Sequence, residues 1–260
     1  MRLYLASPIF APRDRAFVAA VGARLRAKGH EVFLPAETFA PPPARPSLRE
    51  REATFEANVR ELQAADAVVA ILDGADADSG TAFEVGVAWS RCVPVVGVRT
   101  DYRTLGPEGS VNLMLERACS VLLALPDAPP ARVADAVARI LDTPLLPPGG
   151  KLVRDRLPSV VRAQGRRATS RRVRSPAKRE ALLLRKLAEE VGELGRARGP
   201  RERARELCDL WEALRAYADL HGLGARARRE QVAVRERLGG YGGGVVLTRL
   251  SGREPARRRR

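Results

Sequence analysis

The stretch Ile71–Ala88, ILDGADADSGTAFEVGVA, decides how the first half of the chain folds. It starts at the end of an apolar run, passes through a loop that holds Asp73, Asp76 and Asp78, and then enters a helical pattern that contains Glu84. A strand that ends in a loop and leads into a helix is the unit of a parallel α/β sheet, which binds its ligand at the strand's end. Acidic residues concentrated at that point indicate chemistry rather than packing.

The same alternation continues on both sides of this stretch. Apolar runs predict strands at Leu3–Ala6, Glu31–Leu34, Ala67–Leu72, Pro94–Val98 and Val121–Leu125. Helical patterns occupy Arg13–Lys28, Leu48–Ala64, Thr81–Arg91, Asn112–Cys119 and Ala131–Leu141. Strands and helices in alternation predict a parallel sheet covered by helices on both faces.

A cluster of prolines and glycines at residues 144–150 predicts a linker. Beyond it the pattern is helical, with helices predicted at Arg179–Ala197, Arg201–His221 and Ala225–Arg237. We therefore expect an α/β domain over residues 1–143, a small all-α domain over residues 151–248, and a disordered basic tail over residues 249–260.

Composition narrows the class of protein. The chain has 260 residues, three cysteines and two histidines. The odd, scattered cysteines indicate reduced thiols in a cytoplasmic protein, and so few histidines argue against a histidine-rich zinc site. No apolar run is long enough to span a bilayer, so no membrane association is expected.

The net charge of +15 is unevenly distributed. Residues 151–260 carry 30 of the 46 Lys and Arg and 13 of the 31 Asp and Glu, a balance of +17, against −2 for residues 1–150. A basic half can face polyanions. Because no recognised nucleic-acid module is present, we do not expect a nucleic-acid partner, although a basic nucleic-acid-binding arm stays open as an alternative.

Glu84 has two interpretations. The run Thr81–Glu84 fits a capping box, in which the glutamate reaches back to the first residue of the helix. A capping box, however, needs no second acid, and Asp78 lies six residues earlier. Two carboxylates at one strand end can divide the work of glycosyl transfer, one attacking the sugar and the other binding or protonating the base. We expect the helix N-terminus to favour the ionised form of Glu84.

Four segments carry a resemblance to a known family. They are Tyr4–Phe10 (YLASPIF), Ala65–Ala70 (ADAVVA), Asp78–Gly86 (DSGTAFEVG) and Val111–Met114 (VNLM). In order and spacing they resemble the nucleoside 2-deoxyribosyltransferase family, over about residues 1–125. The resemblance implies a flavodoxin-like domain that needs no cofactor and cleaves the N-glycosidic bond of a deoxyribonucleoside.

The resemblance also implies a role for individual residues. Glu84 matches the family's nucleophile, Tyr4 the tyrosine beside it, and Asp78 the acid that handles the base. Asn112 and Met114 match residues that family members lend to a neighbouring subunit's site. A homo-oligomer, at least a dimer, is therefore implied.

Two positions leave the substrate open. Asn58 stands where many relatives have an aspartate that contacts the base, and an amide both donates and accepts, whereas an ionised carboxylate only accepts. Ser7 suits a sister group that hydrolyses nucleoside 5′-monophosphates, whereas Asn112 suits the nucleoside enzymes. The domain is thus expected to be a transferase, a monophosphate N-glycosidase, or a non-catalytic nucleotide sensor.

A second acidic pattern lies beyond the linker. Glu190 and Glu193 share one helix face, and Glu206 and Asp209 repeat the spacing on the next predicted helix. Four inward carboxylates repel one another unless a cation joins them, and hard oxygen ligands select Mg²⁺, with Mn²⁺ as a second possibility. The alternative is two solvated, charged helix faces.

Residues 151–248 resemble the all-α MazG-like nucleotide pyrophosphohydrolases. The segments that carry this resemblance are Lys151–Asp155 (KLVRD), Lys186–Leu194 (KLAEEVGEL), Glu206–Asp209 (ELCD) and Arg237–Tyr241 (RLGGY). The resemblance implies Mg²⁺ held by the two acidic pairs and hydrolysis of a nucleoside triphosphate to monophosphate and pyrophosphate. Glu189 is a candidate further ligand or base, and Lys151, Arg154 and Lys186 are candidate phosphate contacts.

Together these features predict a bifunctional enzyme that acts on nucleosides or nucleotides. Its helical domain would produce a monophosphate, and its α/β domain would act on the glycosidic bond.

Overall fold

The computed structural model of the chain describes residues 1–38, 46–102, 111–244 and 246. Five parallel strands form one sheet in the order β2-β1-β3-β4-β5. The strands are β1 (Arg2–Ala6), β2 (Glu31–Phe33), β3 (Ala67–Ile71), β4 (Val95–Arg99) and β5 (Val121–Ala124). This order is that of flavodoxin-like sheets, and it confirms the predicted fold class.

Helices account for most of the remaining described residues. They are α1 (Pro12–Ala27), α2 (Pro35–Thr38), α3 (Leu48–Ala64), α4 (Ser79–Ser90), α5 (Leu113–Ala118), α6 (Pro130–Leu141), α7 (Leu157–Ala163), α8 (Pro176–Arg196), α9 (Gly199–Leu220) and α10 (Gly224–Leu238), with a short 3₁₀ helix at Tyr241–Gly243. The short helices α2 and α7 were not predicted from the sequence.

The core lies on both faces of the sheet. On β1, Leu3 and Leu5 pack into one apolar cluster, whereas Tyr4 packs into the cluster on the opposite face. Every residue of β3 and of β4 is buried. Strands buried on both faces need continuous apolar runs, which is why the sequence predicted them well.

The chain divides into two compact units, Met1–Tyr217 and Ala218–Arg260. The first contains the sheet, α7, α8 and most of α9. The predicted domain limits, 1–143 and 151–248, stay predictions, and the predicted tail 249–260 lies outside the described residues. Among the described helices, none combines the length and apolar character needed to cross a membrane.

Candidate functional site

The site lies at the carboxyl ends of β1 and β3, the neighbouring central strands of the sheet. Ser7 directly follows β1, and the acidic loop that holds Asp73, Asp76 and Asp78 directly follows β3. Helix α4 then begins at Ser79. The loop and the start of α4 therefore occupy the edge where parallel α/β sheets bind ligands.

Tyr4 and Glu84 are joined by a short hydrogen bond at this edge. The Tyr4 Oη donates to Glu84 Oε1 at 2.5 Å, across 80 residues of sequence. Tyr4 is fully buried and stacks on Phe33, with 5.4 Å between the ring centroids. Burial, followed by the neighbouring Glu84 carboxylate, raises the pKa of Tyr4 well above its usual value, so its hydroxyl remains a donor.

The carboxyl group of Glu84 has a pKa raised to about 7. Burial is the main cause and the nearby charge of Asp78 adds to it, whereas the hydrogen bond from Tyr4 opposes both. We expected the helix N-terminus to favour the ionised form of Glu84, but the net effect of its surroundings is to raise its pKa and favour the neutral form. Glu84 is the sixth residue of α4 and lies beyond the first turn, where the helix dipole acts most strongly.

Asp78 is the N-cap of α4. Its Oδ2 accepts from the Thr81 backbone N–H at 2.9 Å and from the Thr81 hydroxyl at 3.2 Å. The interpretation of Thr81–Glu84 as a capping box is thus wrong, because the helix begins two residues earlier and Glu84 pairs with Tyr4 instead. Asp78 holds the start of the helix and places a negative charge near Glu84.

Asn58 contributes a buried acceptor with no partner. Its Oδ1 is inaccessible to solvent and accepts no hydrogen bond from any described residue. Buried polar atoms are normally paired, so this unpaired oxygen marks a position for a ligand or a water molecule. Asn58 lies on α3, which follows β2 and packs beside α4.

A clamp that was not predicted from sequence fixes the loop after β3. Arg99 at the end of β4 is 1% exposed and donates to the carbonyl oxygens of Leu72 (2.5 Å) and Gly74 (3.0 Å). In return, Asp73 accepts from the backbone N–H of Thr100 at 2.6 Å and of Asp101 at 3.0 Å. The feature of the sequence that could have indicated these contacts was the single charged residue, Arg99, at the end of an apolar strand.

Asn112 and Met114 lie on or beside α5 and are exposed. Asn112 is the N-cap of α5, since its Oδ1 accepts from the Met114 N–H at 2.9 Å. The Met114 side chain is 77% exposed, and Leu113 beside it is 65% exposed. Among the described residues, no hydrogen bond joins the side chain of Asn112 or Met114 to Tyr4 or Glu84.

Comparison with known families finds a match over the first half of the chain. A family model described as nucleoside 2-deoxyribosyltransferase matches residues 3–129. Residues 3–129 therefore form a nucleoside 2-deoxyribosyltransferase-like domain, hereafter the deoxyribosyltransferase domain. None of the curated proteins matches the chain.

Several solved structures resemble the deoxyribosyltransferase domain. A 2-deoxyribosyltransferase from Bacillus psychrosaccharolyticus is 26% identical and aligns over 56% of this chain and 98% of its own, with a TM-score of 0.45. A conserved protein from Enterococcus faecalis V583 is 24% identical over 54% and 98%, with a TM-score of 0.43. A CMP N-glycosidase from Clostridium botulinum is 13% identical over 54% and 99%, with a TM-score of 0.36.

A separate carboxylate cluster lies on α8 and α9, beyond the deoxyribosyltransferase domain. Oxygen atoms of Glu189, Glu190 and Glu193 lie within 4.8 Å of one another, and so do those of Glu190, Glu206 and Asp209. The sequence predicted Glu190, Glu193, Glu206 and Asp209 as one group. The structure instead divides the acids into two triples that share Glu190.

Basic side chains surround this cluster. Lys151 Nζ lies 2.6 Å from Glu189, and Lys186 Nζ lies 2.7 Å from the same carboxylate and also contacts Glu190. Arg154 pairs with Asp209, and Arg205 pairs with Glu206. The three cations that were expected to contact phosphate, Lys151, Arg154 and Lys186, therefore contact carboxylates in this structure.

The oxygen donors of this cluster are of the kind that bind a divalent cation. Glu190 is 1% exposed, burial raises the pKa of its carboxyl group, and its Oε2 is buried without a hydrogen-bond partner in the described part of the chain. All candidate ligand atoms are carboxylate oxygens, which suit Mg²⁺ or Mn²⁺.

Proposed function

We propose that the deoxyribosyltransferase domain cleaves the N-glycosidic bond of a nucleoside or nucleotide, with Glu84 as the nucleophile. The observation that carries this proposal is the partly buried Tyr4–Glu84 hydrogen bond at the carboxyl edge of the sheet. A carboxylate held in a single orientation, with a pKa near the working pH, suits attack on a sugar carbon.

The reaction would proceed in two displacements. Glu84 attacks C1′ as the bond between C1′ and the base nitrogen breaks, and the bonding electrons leave with the base, which then takes up a proton. The resulting glycosyl ester is cleaved when water or a second base attacks C1′, which returns the carboxylate of Glu84. Throughout, the Tyr4 hydroxyl donates to Glu84 and fixes its free oxygen toward the sugar.

Recognition of the base would fall to Asn58 and Asp78. The unpaired Oδ1 of Asn58 can accept from an exocyclic amino group or ring N–H of the base. Asp78 uses Oδ2 to cap α4, which leaves Oδ1 for the ligand. Ser7, directly after β1, would contact the sugar or a 5′-phosphate.

The test is to replace Glu84 by Gln in the full chain. A panel of 2′-deoxynucleosides and 5′-monophosphates is incubated with and without a second base, and free base and new nucleoside are measured. We expect base release to fall at least about a thousandfold, as for loss of other nucleophiles. Glu52→Gln, an exposed glutamate on α3, is the matched control and should leave turnover unchanged.

The outcome also separates the alternatives. Unchanged turnover in Glu84→Gln would reject the nucleophile, and binding without turnover in the wild type would favour the nucleotide sensor. Turnover of monophosphates alone would identify an N-glycosidase, whereas exchange between bases would identify a transferase.

We propose a second function for the carboxylate cluster: Mg²⁺-dependent hydrolysis of a nucleoside triphosphate to a monophosphate and pyrophosphate. The unpaired, buried Oε2 of Glu190 supports a cation ligand here. Glu190, Glu206 and Asp209 would hold the cation, with Glu189 and Glu193 beside it. Bound Mg²⁺ would supply charge neutralisation of the phosphates and activation of water.

Pyrophosphate release from nucleoside triphosphates tests this second function. Release should require Mg²⁺ and should be lost in Glu206→Gln, while Glu212→Gln, an exposed glutamate on the same helix, should behave like the wild type. Mg²⁺-independent binding of DNA or RNA with a steep salt dependence, and no pyrophosphate release, would favour the nucleic-acid arm instead.

We also propose that the chain is at least a dimer, with Asn112 and Met114 reaching a neighbouring subunit's site. The exposed Leu113 and Met114, together with the exposed and adjacent rings of Phe55 and Phe83 on α3 and α4, support an apolar contact surface.

A further inference from the structure

The carboxylate cluster nearly neutralises itself. Its five acids are Glu189, Glu190, Glu193, Glu206 and Asp209. Its four described cationic partners are Lys151, Arg154, Lys186 and Arg205. With all of these groups ionised, one negative charge is left in excess, whereas a bound divalent cation would leave one positive charge in excess.

The two lysines and the two arginines are arranged differently. Lys186 contacts both Glu189 and Glu190, and Lys151 contacts both Glu189 and Glu193 (3.5 Å), so the ammonium groups bridge acids within the first triple. Each guanidinium instead pairs with a single acid of the second triple. An ammonium group that bridges two carboxylates takes the position that a metal ion would otherwise take.

We propose that Lys186 and Lys151 are built-in counter-ions, which a divalent cation displaces from the acids and which then bind the phosphate groups of the substrate. This inference rests on the proposed cation site in the cluster. It assigns Lys186 and Lys151 as residues that couple metal binding to phosphate binding.

The physical basis is charge. A divalent cation that binds alone must share the cluster with two nearby ammonium groups, and like charges at close range oppose its binding. A phosphate oxyanion removes that penalty, because it offers the displaced ammonium groups a new partner. Lysine side chains are long and flexible, and those of Lys151 and Lys186 retain 34% and 19% exposure, so they can turn outward.

Coupling between metal binding and phosphate binding predicts how the affinity for each ligand depends on the other. In the wild-type chain, metal alone should bind weakly, and metal should strengthen the binding of a polyphosphate. Replacement of Lys186 by Met keeps the length of the side chain but removes the charge. We expect it to tighten the binding of metal alone about tenfold and to weaken metal-dependent polyphosphate binding by about the same factor.

The experiment uses the full chain and two probes. Binding of Mn²⁺ alone is followed through the EPR signal of the free ion, and binding of labelled pyrophosphate is followed by equilibrium dialysis with and without saturating Mg²⁺. Lys186→Met and Lys151→Met are compared with Lys178→Met, an exposed lysine near the start of the same helix. Lys151 lies outside the helices, so its variant gives an independent test if Lys186→Met folds poorly.

The results distinguish the role of the lysines as counter-ions from the existence of the cation site. Tighter Mn²⁺ binding with weaker pyrophosphate binding in both variants, and neither change in Lys178→Met, supports the inference. If Glu190→Gln abolishes Mn²⁺ binding but neither lysine variant tightens it, the inference is overturned and the cation site stands. Absence of Mn²⁺ binding by the wild-type chain overturns both.

Discussion

At the scale of single residues, the proposed cleavage of the glycosidic bond depends on the environment of one carboxyl group, that of Glu84. Burial of Glu84 favours its neutral form, whereas nucleophilic attack needs its charged form. The hydrogen bond from Tyr4 and the charge on Asp78 adjust this balance in opposite directions. Each neighbour can therefore be tested through the pH dependence of the reaction.

Asp78→Asn should shift the acid limb of the pH profile downward. In the wild type, kcat/KM should rise with pH through about 7, where Glu84 ionises. Asn keeps the N-cap of α4 but removes the negative charge that raises the pKa of Glu84. A limb that stays at the wild-type pH in Asp78→Asn would contradict the assignment of that limb to Glu84.

Tyr4→Phe should shift the same limb in the opposite direction. Loss of the hydrogen bond removes the interaction that lowers the pKa of Glu84, so the carboxylate should form only at higher pH. The measurement is again kcat/KM against pH, with the thermal midpoint as a check on folding. If the limb moved to lower pH, the hydrogen bond would not stabilise the charged form.

Glu84 should also make the stability of the fold depend on pH. Its folded pKa of about 7 lies above the unfolded value of 4.5, so its contribution is fully present below pH 4.5 and is lost as pH rises through 7. The loss is at most about 3 kcal/mol. Urea unfolding at several pH values should reveal a decline over this window that Glu84→Gln lacks.

At the scale of elements, the loop after β3 is fixed by its neighbours rather than by its own sequence. Arg99 and Asp73 tie residues 72–74 to the end of β4, and this tie positions the start of α4. Gly74 allows the turn with φ of +116°, and an added Cβ would lie 2.7 Å from the Asp76 carbonyl oxygen.

Gly74→Ala should therefore destabilise the fold by about 1–3 kcal/mol, because alanine disfavours this backbone conformation. Gly86→Ala is the matched control. It lies inside α4 with no atom within 4 Å of an added Cβ, so it should stabilise the helix by up to about 1 kcal/mol. Chemical denaturation measures both, and equal effects would argue against strain at Gly74.

At the scale of the whole molecule, the proposed dimer depends on apolar side chains that the single chain leaves exposed. Met114, at 77% exposure, and Leu113 are exposed apolar residues on α5, which packs against α4. Trp211 and Leu214 on α9 are also more than half exposed. Apolar groups exposed in this way are typical of contact surfaces between subunits.

Met114→Glu should weaken the oligomer and reduce glycosidic activity together. A charge at a buried contact between subunits carries a large desolvation cost. Sedimentation velocity over a range of concentrations measures the oligomer, and Leu48→Glu, an exposed apolar residue at the start of α3, is the control. A monomeric wild-type chain with full activity would contradict the proposal.

Sequence patterns predicted the elements well and the contacts between them poorly. Ala67–Ile71 and Val95–Arg99 were recognisable because strands buried on both faces must be continuously apolar. The start of α4 was misplaced by two residues, because Thr81 and Asp78 are both acceptable caps and only the hydrogen-bond geometry distinguishes them. Glu190, Glu193, Glu206 and Asp209 were predicted as one group. The structure places Glu190 with Glu206 and Asp209, and places Glu193 in a second triple with Glu189 and Glu190.

The sequence by itself determined the order of strands and helices, the acidic loop after β3 and the two acidic pairs. These features are local, because period and turn chemistry depend on residues that are neighbours in the chain. The family resemblance implied that Tyr4 lies beside Glu84. Only the tertiary structure decided that the two share a hydrogen bond, that burial raises the pKa of that glutamate to about 7, and that Arg99 fixes the loop. These outcomes depend on burial and on distances between residues that are tens of positions apart in the chain. The order of the parallel strands and the packing of the helices set those distances, whereas local sequence patterns do not.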